Sequence, residues 1–290
     1  MQLKNNDLIF IFSQHRTGST LLKNILNESR EVTMSFDEMN LYEPFRKNTF
    51  DKVLKKNGLK GDTLINLIKQ KKIYGTFWQE FQKSKIDIYK LGNFYDSLQN
   101  SKLSKTILYI LNEQRKINNT KFSGVKYPTH FYKMNFIFKS FRNSKCIFLT
   151  RNPFAIYASK VNDIATKKRI KRFGFIIRYF TLIYVCFEYI VSYYFFLKYK
   201  SKLIIISYED LVMNQNQTIK KTCNYVGIKY DKNMINATGK MSSFIVNDNG
   251  IYHESLIRFK KILSPLEKKI IKLITNKHYK LFLNELHSDI

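Results

Sequence analysis

The chain is poor in the residues that build disulfide, metal and linker structures. Its three cysteines, Cys146, Cys186 and Cys223, lie in apolar surroundings without paired spacing, which argues against a secreted fold held by disulfides. Proline and glycine are also few, with 4 and 10 among 290 residues, and no repeat or low-complexity linker divides the sequence. No cluster of His, Cys and Asp has metal-ligand spacing. We expect one domain over residues 1–290, with reduced core thiols and no metal.

Acidic residues are scarce as well. Asp and Glu number 22 against 50 Lys and Arg, so the formal net charge is +28. Such an excess favours a polyanionic partner, either an anionic glycan, a lipid or a nucleic acid. However, the excess is mostly lysine, is spread along the whole chain, and accompanies abundant Asn, Ile and Tyr, a mixture that AT-rich coding sequences produce. A generally basic surface is therefore the simpler interpretation.

The sequence offers little that could cross a membrane. It enters its first predicted strand almost at once, so we expect no signal peptide and a cytoplasmic protein, able to reach the inner membrane surface. Residues 173–197 are apolar and long enough to span a bilayer, but Arg178 and Glu188 interrupt them at a high energetic cost. We expect a core helix there, with docking on a membrane surface as the alternative.

The stretch LIFIFSQHRTGSTLL, residues 8–22, predicts a buried strand, a tight polar turn and the start of a helix. Such a turn can hold a phosphate, because the first helical amides have no intrahelical partner and the helix dipole favours an anion there. Glycine in the turn lets the backbone approach the anion closely. The expected anion ligands are Arg16, Thr17, Gly18, Ser19 and Thr20.

A nucleoside-triphosphate loop does not fit this turn. That motif places a lysine directly after its second glycine, whereas Ser19 follows Gly18 here and Ser13 stands where the first glycine would be. Residues 16–20 instead run basic, hydroxyl, glycine, hydroxyl, hydroxyl. This order resembles the 5′-phosphosulfate loop of sulfotransferases that use 3′-phosphoadenosine 5′-phosphosulfate (PAPS). The resemblance implies transfer of a sulfuryl group to an acceptor hydroxyl, with Arg16 stabilising charge on the donor.

A second strand, turn and helix start runs from residue 145 to residue 159. Asn152 suits a helix N-cap and Pro153 suits the first helical position. The stretch resembles the 3′-phosphate site of the same family, in which an arginine ends the strand and a serine follows on the helix. Arg151 and Ser159 fall on that pattern, and the resemblance implies that they bind the 3′-phosphate. Asn152 departs from the family's usual Asp, but either residue can cap the helix.

A third stretch carries the resemblance towards the C-terminus. A β-branched strand at 203–207 ends in Tyr208-Glu209-Asp210-Leu211, and in the family this tyrosine lies near the adenine. Relatives also place aromatic and basic residues in the tail to close over the nucleotide. Candidates for that role are Phe244, Arg258 and Lys260.

Candidate acceptor-side residues follow two other strands. Residues 41–44, LYEP, resemble a segment of glycan-modifying sulfotransferases, and a carboxylate beside the donor could take the proton from the acceptor hydroxyl. Glu43 is the first candidate for that base, with Glu38 or Asp37 as substitutes and a structural salt bridge as the alternative. The predicted strand at 122–125 ends at Lys126, which could support the leaving phosphate or the sulfuryl oxygens. The alternative base is His130.

These stretches predict an α/β fold with a P-loop-like, mostly parallel sheet flanked by helices on both faces. The strands expected to carry the site are 8–12, 122–125, 145–150 and 203–207. Helices near 52–70 and 101–116 would form an insertion at 51–119, a possible acceptor cap.

The function predicted from the sequence is therefore PAPS-dependent sulfation. The acceptor is expected to be a sugar of a glycan or glycolipid, because the chain lacks the lid motif of the cytosolic small-molecule branch; no nucleic acid partner is expected. Two rivals stay open. One is a nucleotide kinase, which would depend on magnesium and ATP. The other is a basic nucleic-acid-binding or membrane-surface protein with an inactive cradle.

Overall fold

The computed structural model describes residues 7–44, 46–56, 58–100, 102–237 and 254–288. Its centre is a five-stranded sheet in the order β2-β3-β1-β4-β5, and every neighbouring pair is parallel. This confirms the predicted α/β fold. The strands are β1 Leu8–Ser13, β2 Val32–Met34, β3 Phe122–Lys126, β4 Lys145–Thr150 and β5 Ile204–Ser207.

The predicted strand bounds differ from the observed ones by about one residue. Strand β1 extends to Ser13 because that residue pairs with Leu149 of β4. Strand β5 starts at Ile204, because the ladder with β4 begins there. The α-helices that the described residues form are α1 Ser19–Asn27, α2 Phe50–Leu54, α3 Gly61–Lys69, α4 Thr76–Gln79, α5 Ile88–Asp96, α6 Lys102–Asn118, α7 Met134–Ser140, α8 Pro153–Val161, α9 Ile164–Tyr199, α10 Tyr208–Met213, α11 Gln215–Val226, α12 Glu254–Ile257, α13 Phe259–Ile262 and α14 Pro265–Ser288.

The sheet is buried on both faces. Strand β1 is apolar at every position from Leu8 to Phe12, because even-numbered side chains enter one core and odd-numbered side chains enter the other. Helices α6, α8, α9 and α14 contribute to the first core, and α1 and α11 pack against the opposite face. The three cysteines are buried and unpaired, as the sequence predicts.

The connection between β2 and β3 holds the predicted insertion. The helix expected at 52–70 is broken into α2 and α3, and Gly58 between them has a φ of 71°. An aromatic cluster forms the core of this connection: the Trp78 ring stacks on Phe50 with centroids 3.8 Å apart. Trp78 Nε1 also donates to the carbonyl oxygen of Asn40 at 2.9 Å. The insertion therefore braces the segment that leads to Glu43.

Helix α9 includes the apolar residues 173–197. It is kinked at Gly174, whose φ and ψ are 67° and −152°. Residues 164–202 are long and apolar enough to cross a membrane, yet 44% of the apolar window is buried inside the protein. One face packs into the core through residues such as Leu182, Tyr189 and Phe196. The expected core helix is therefore observed.

Candidate active site

The turn after β1 lies at the carboxyl edge of the sheet, where parallel α/β sheets gather ligands. Arg16 and Gly18 both adopt left-handed backbone conformations, with φ of 68° and 89°. A β-carbon at Gly18 would clash with the ring of Tyr208, so only glycine fits there. Thr17 Oγ1 donates to the carbonyl oxygen of Gln14 at 3.0 Å and ties the turn to itself. Helix α1 begins at Ser19, so its free first amides face this turn.

Arg16 connects the two phosphate sites that the sequence predicts separately. Its Nε donates to Ser159 Oγ on α8 at 3.2 Å, and its Nη1 lies 4.0 Å from Asp163 Oδ1. Burial lowers the pKa of the Arg16 guanidinium, and Asp163 opposes that shift. The two motifs are thus neighbours in space, although 143 residues separate Arg16 from Ser159.

Arg151 is buried at the end of β4 and faces the same turn. Its Nη1 donates to the carbonyl oxygen of Arg16 at 3.0 Å, and its Nη2 donates to that of Ser255 at 2.9 Å. The guanidinium carbon lies 4.0 Å from the centre of the Tyr208 ring, whose hydroxyl is 2.8 Å from Ser255 Oγ. Nε is buried and has no hydrogen-bond partner among the described residues. A buried cationic donor without a partner is costly unless a ligand satisfies it.

The start of α8 confirms the predicted cap. The Asn152 side chain accepts from the amide of Phe154 at 2.9 Å, and Pro153 occupies the first helical position. The amide of Asn152 donates to Glu209 Oε1 at 3.0 Å. Burial raises the pKa of the Glu209 carboxyl. Glu209 thereby holds the strand end that carries Arg151, a contact that the sequence alone did not reveal.

Lys126 reaches the turn from β3, the strand next to β1. Its Nζ donates to Thr20 Oγ1 at 3.0 Å and forms an ion pair with Glu38 Oε1 at 2.6 Å. Burial alone would raise the pKa of Glu38, but Lys126 more than offsets it, so the pKa is lowered. Glu38, which the sequence offers as a substitute base, is therefore already paired with the Lys126 ammonium group.

Glu43 is buried beside β3 and accepts two hydroxyl hydrogen bonds. Tyr127 Oη donates to Glu43 Oε2 at 3.0 Å, and Thr129 Oγ1 donates to the same oxygen at 3.3 Å. His130 lies deeper and is fully buried, and its Nε2 accepts from the amide of Leu41 at 3.3 Å. Burial lowers the pKa of His130 to about 3. His130 thus supports the segment that carries Glu43.

His15 and Glu188 form an ion pair that sequence reasoning missed. His15 Nδ1 lies 3.0 Å from Glu188 Oε1, which projects from the buried face of α9. Burial lowers the pKa of His15, but Glu188, with help from Glu43 and against Lys160, raises it above its usual value. The sequence signal was present, because a lone carboxylate inside an apolar run requires a buried partner.

This pair makes stability dependent on pH. Because the folded-state pKa of His15 is raised, the protonated pair stabilises the fold fully below about pH 6.5, and its contribution falls as the pH rises through the raised pKa. We expect Glu188→Gln to cost about 1–2 kcal/mol of unfolding free energy at pH 6 and less at pH 8. Urea denaturation at several pH values measures this difference.

A matched control for that experiment is Glu113→Gln. Glu113 pairs with Lys116 on the surface of α6 at 2.7 Å, and this pair contains no histidine. Its cost should be small and flat between pH 6 and pH 8. A cost of Glu188→Gln that is equally flat would show that Glu188 does not raise the pKa of His15.

The structure brings most predicted site residues to one edge of the sheet. The turn with Arg16, Thr17, Gly18, Ser19 and Thr20 meets Lys126, Arg151, Ser159 and Tyr208 there. Burial lowers the pKa of Arg151, and the charge of Arg258, which is exposed between α12 and α13, lowers it further. Lys260 is exposed on α13, and Phe244 lies outside the described residues. Within the described ranges, no group of three or more His, Cys, Asp or Glu side chains is placed to hold a metal ion.

The Sulfotransferase family matches residues 7–232, and the chain therefore belongs to the sulfotransferase family. This confirms the resemblance that the three motifs gave. Sulfotransferase 2A2 of Rattus norvegicus is 29% identical to the chain over 155 residues, which cover 50% of the chain and 54% of that protein. The chain thus spans about half the length of that curated relative.

Solved structures share the fold. The sulfotransferase domain from the curacin biosynthetic pathway superposes with a TM-score of 0.57 at 21% identity, covering 94% of this chain and 97% of that one. The sulfotransferase domain of the Synechococcus olefin synthase superposes with a TM-score of 0.55 at 17% identity, covering 93% of this chain and 94% of that one. A mouse sulfotransferase complexed with PAP superposes with a TM-score of 0.50 at 11% identity, covering 99% of this chain and 91% of that one. The chain has the α/β sulfotransferase fold.

Proposed function

We propose that this sulfotransferase uses PAPS as its donor and transfers the sulfuryl group to a hydroxyl of a glycan or glycolipid. The observation that carries the donor proposal is the position of Arg151. Its guanidinium is buried against the turn after β1 and keeps Nε without a hydrogen-bond partner among the described residues. A phosphate monoester is the ligand that such a donor fits best. The mouse relative complexed with PAP, the desulfated product, is consistent with this donor.

The residues of the turn would hold the other end of the donor. The free amides at the start of α1 and the Arg16 guanidinium would bind the 5′-phosphosulfate, and Ser159 would join Arg151 at the 3′-phosphate. Lys126 would neutralise the charge that develops on the departing phosphate oxygen. Catalysis of this kind depends mainly on positioning and charge stabilisation.

Glu43 is the proposed general base. As the acceptor oxygen forms its bond to sulfur, the bond from sulfur to the 5′-phosphate oxygen breaks, and the acceptor proton passes to the Glu43 carboxylate. Tyr127 and Thr129 both donate to Oε2, so Oε1 is the proposed proton acceptor. Glu38 is a weaker choice because it is paired with Lys126.

The proposed sugar acceptor rests on the LYEP segment and on the connection that braces it. Trp78 in the insertion donates to the carbonyl oxygen of Asn40, so the insertion between β2 and β3 would shape the acceptor site. We place the protein in the cytoplasm, at or near the inner membrane surface, where lipid-linked sugars present their hydroxyls.

A transfer assay tests both parts of this function. The purified chain is given sulfur-labelled PAPS with oligosaccharides, glycolipids or simple phenols, and a parallel reaction receives terminally labelled ATP with magnesium. We expect label on glycans or glycolipids and an equal amount of free PAP. Label on phenols alone would contradict the proposed glycan or glycolipid acceptor. Transfer of label from ATP would instead show that the protein is a nucleotide kinase.

A further inference from the structure

One side of helix α9 remains uncovered and carries only large apolar side chains. Six of them form what we call the apolar stripe, with exposed fractions between 41% and 70%: Ile176, Phe180, Ile183, Phe187, Tyr194 and Leu197. They are three, four or seven positions apart, so they fall on a single face of the helix. The stripe is about 30 Å long at 1.5 Å per residue. Contiguous exposed apolar surface of this size marks an interaction site.

The two charges that interrupt this run in the sequence are turned away from the stripe. Arg178 is bound to Glu267 at the start of α14, with Nε 2.6 Å from Oε1. Glu188 is buried and bound to His15 beside the donor turn. Both charges therefore lie off the stripe, and the outer face carries no charge between residues 175 and 197. Because the inner face is fixed to the core, lipid could reach the outer face only.

A basic segment adjoins the stripe on the N-terminal side of the Gly174 kink. Five exposed cations make up this segment: Lys167, Lys168, Arg169, Lys171 and Arg172. At the other end Lys198 and Lys200 are exposed, and α14 packs alongside, where His278 contacts the Tyr194 ring with centroids 5.7 Å apart. Exposed cations thus lie at both ends of an uncharged apolar surface.

We propose that the apolar stripe and the basic segment together dock this protein on an anionic membrane surface. Phe and Ile side chains would enter the boundary between headgroups and acyl chains, while the lysines and arginines contact lipid phosphates. A second copy of the chain is a poorer occupant, because each copy carries a net charge of +28 and the cations beside the stripe would repel. This docking does not depend on the proposed donor or acceptor.

Flotation with lipid vesicles tests the proposal on the full chain. Vesicles of phosphatidylcholine with phosphatidylglycerol should bind the wild type, and vesicles of phosphatidylcholine alone should bind it much less. The variant Phe180→Ser with Phe187→Ser should lose at least about tenfold in apparent affinity for the anionic vesicles. A triple variant, Lys168→Gln with Arg169→Gln and Arg172→Gln, should lose affinity and salt sensitivity together.

Matched controls change the same kind of surface elsewhere. Tyr89→Ser with Met213→Ser removes two side chains that are each 58% exposed, on α5 and α10. Lys220→Gln with Lys229→Gln and Lys232→Gln removes three exposed charges from α11 and the segment after it. Both controls should bind anionic vesicles like the wild type within about twofold. All variants should keep PAP binding and cooperative thermal unfolding, which separates docking from folding and from the donor site.

Three outcomes would overturn the proposal. The wild type would fail to float with anionic vesicles, or the controls would lose as much affinity as the stripe variant. Alternatively, sedimentation velocity would show a wild-type dimer that the stripe variant abolishes while vesicle binding stays unchanged. That last result would assign the stripe to a second copy.

Discussion

Replacing Arg151 with alanine should weaken the binding of PAP, measured by titration calorimetry, by at least about 100-fold. The side chain supplies a buried, fixed fork of donors beside the turn, and its Nε has no other partner among the described residues. AMP lacks the 3′-phosphate and should bind weakly to both proteins. The ratio of PAP to AMP affinity should therefore collapse in the variant, because the lost interaction is with the 3′-phosphate.

The control must separate recognition from folding. Arg151 also donates to two backbone carbonyl oxygens, of Arg16 and Ser255, so its removal costs stability as well. Arg142→Ala removes an exposed guanidinium just before β4 and should leave PAP affinity unchanged. Ser159→Ala keeps the buried arginine and should lose only about three- to tenfold. Equal binding of AMP and PAP by the folded wild type would mean that the 3′-phosphate site is misassigned.

Replacing Glu43 with glutamine should lower kcat for sulfuryl transfer by about 100- to 10,000-fold while leaving PAP affinity within about twofold. Glutamine keeps the shape of the side chain and an oxygen that can accept from Tyr127 and Thr129, but it cannot take the acceptor proton. The measurements are steady-state transfer to the acceptor found by the labelled assay and calorimetry with PAP.

Three comparison variants identify the base if it is not Glu43. Glu28→Gln changes an exposed carboxylate after α1 and should have no effect. Glu38→Gln should impair turnover less, since it frees Lys126 from its ion pair but leaves the proposed base intact. Full activity of Glu43→Gln, with strong loss in a His15→Asn variant, would assign the proton to the His15 and Glu188 pair.

The parts of the candidate site whose position the sequence predicts are those in which a candidate residue lies next to its own strand. Arg16 and Gly18 follow β1 directly and Arg151 follows β4 directly, so the parallel sheet brings them together once its order is assumed. The strands can be recognised in the sequence as continuous apolar runs, because both of their faces are buried. Local pattern and common topology therefore suffice for the fold and for the position of the turn after β1.

The parts that the sequence does not predict are pairings between distant side chains. Glu188 meets His15 across 173 residues, and Lys126 meets Glu38 across 88. Neither pair can be recognised from a short sequence motif, because its partners are far apart in the chain. The first pair depends on how α9 packs, and the second on how the connection after β2 packs. The burial of His130 is also a tertiary property, and it lowers the pKa of that side chain to about 3.

The connection between β2 and β3 has two parts, residues 35–50, which carry Glu38 and Glu43, and the insertion at 51–119. The turn itself, Lys126, Arg151 and Tyr208 all come from outside residues 51–119, while this insertion braces the Glu43 segment through Trp78. On the proposed function, sequence change within residues 51–119 would alter which hydroxyl is presented and would leave the turn after β1 unchanged. Exchange of this one insertion between relatives would then give a new acceptor specificity on the same scaffold.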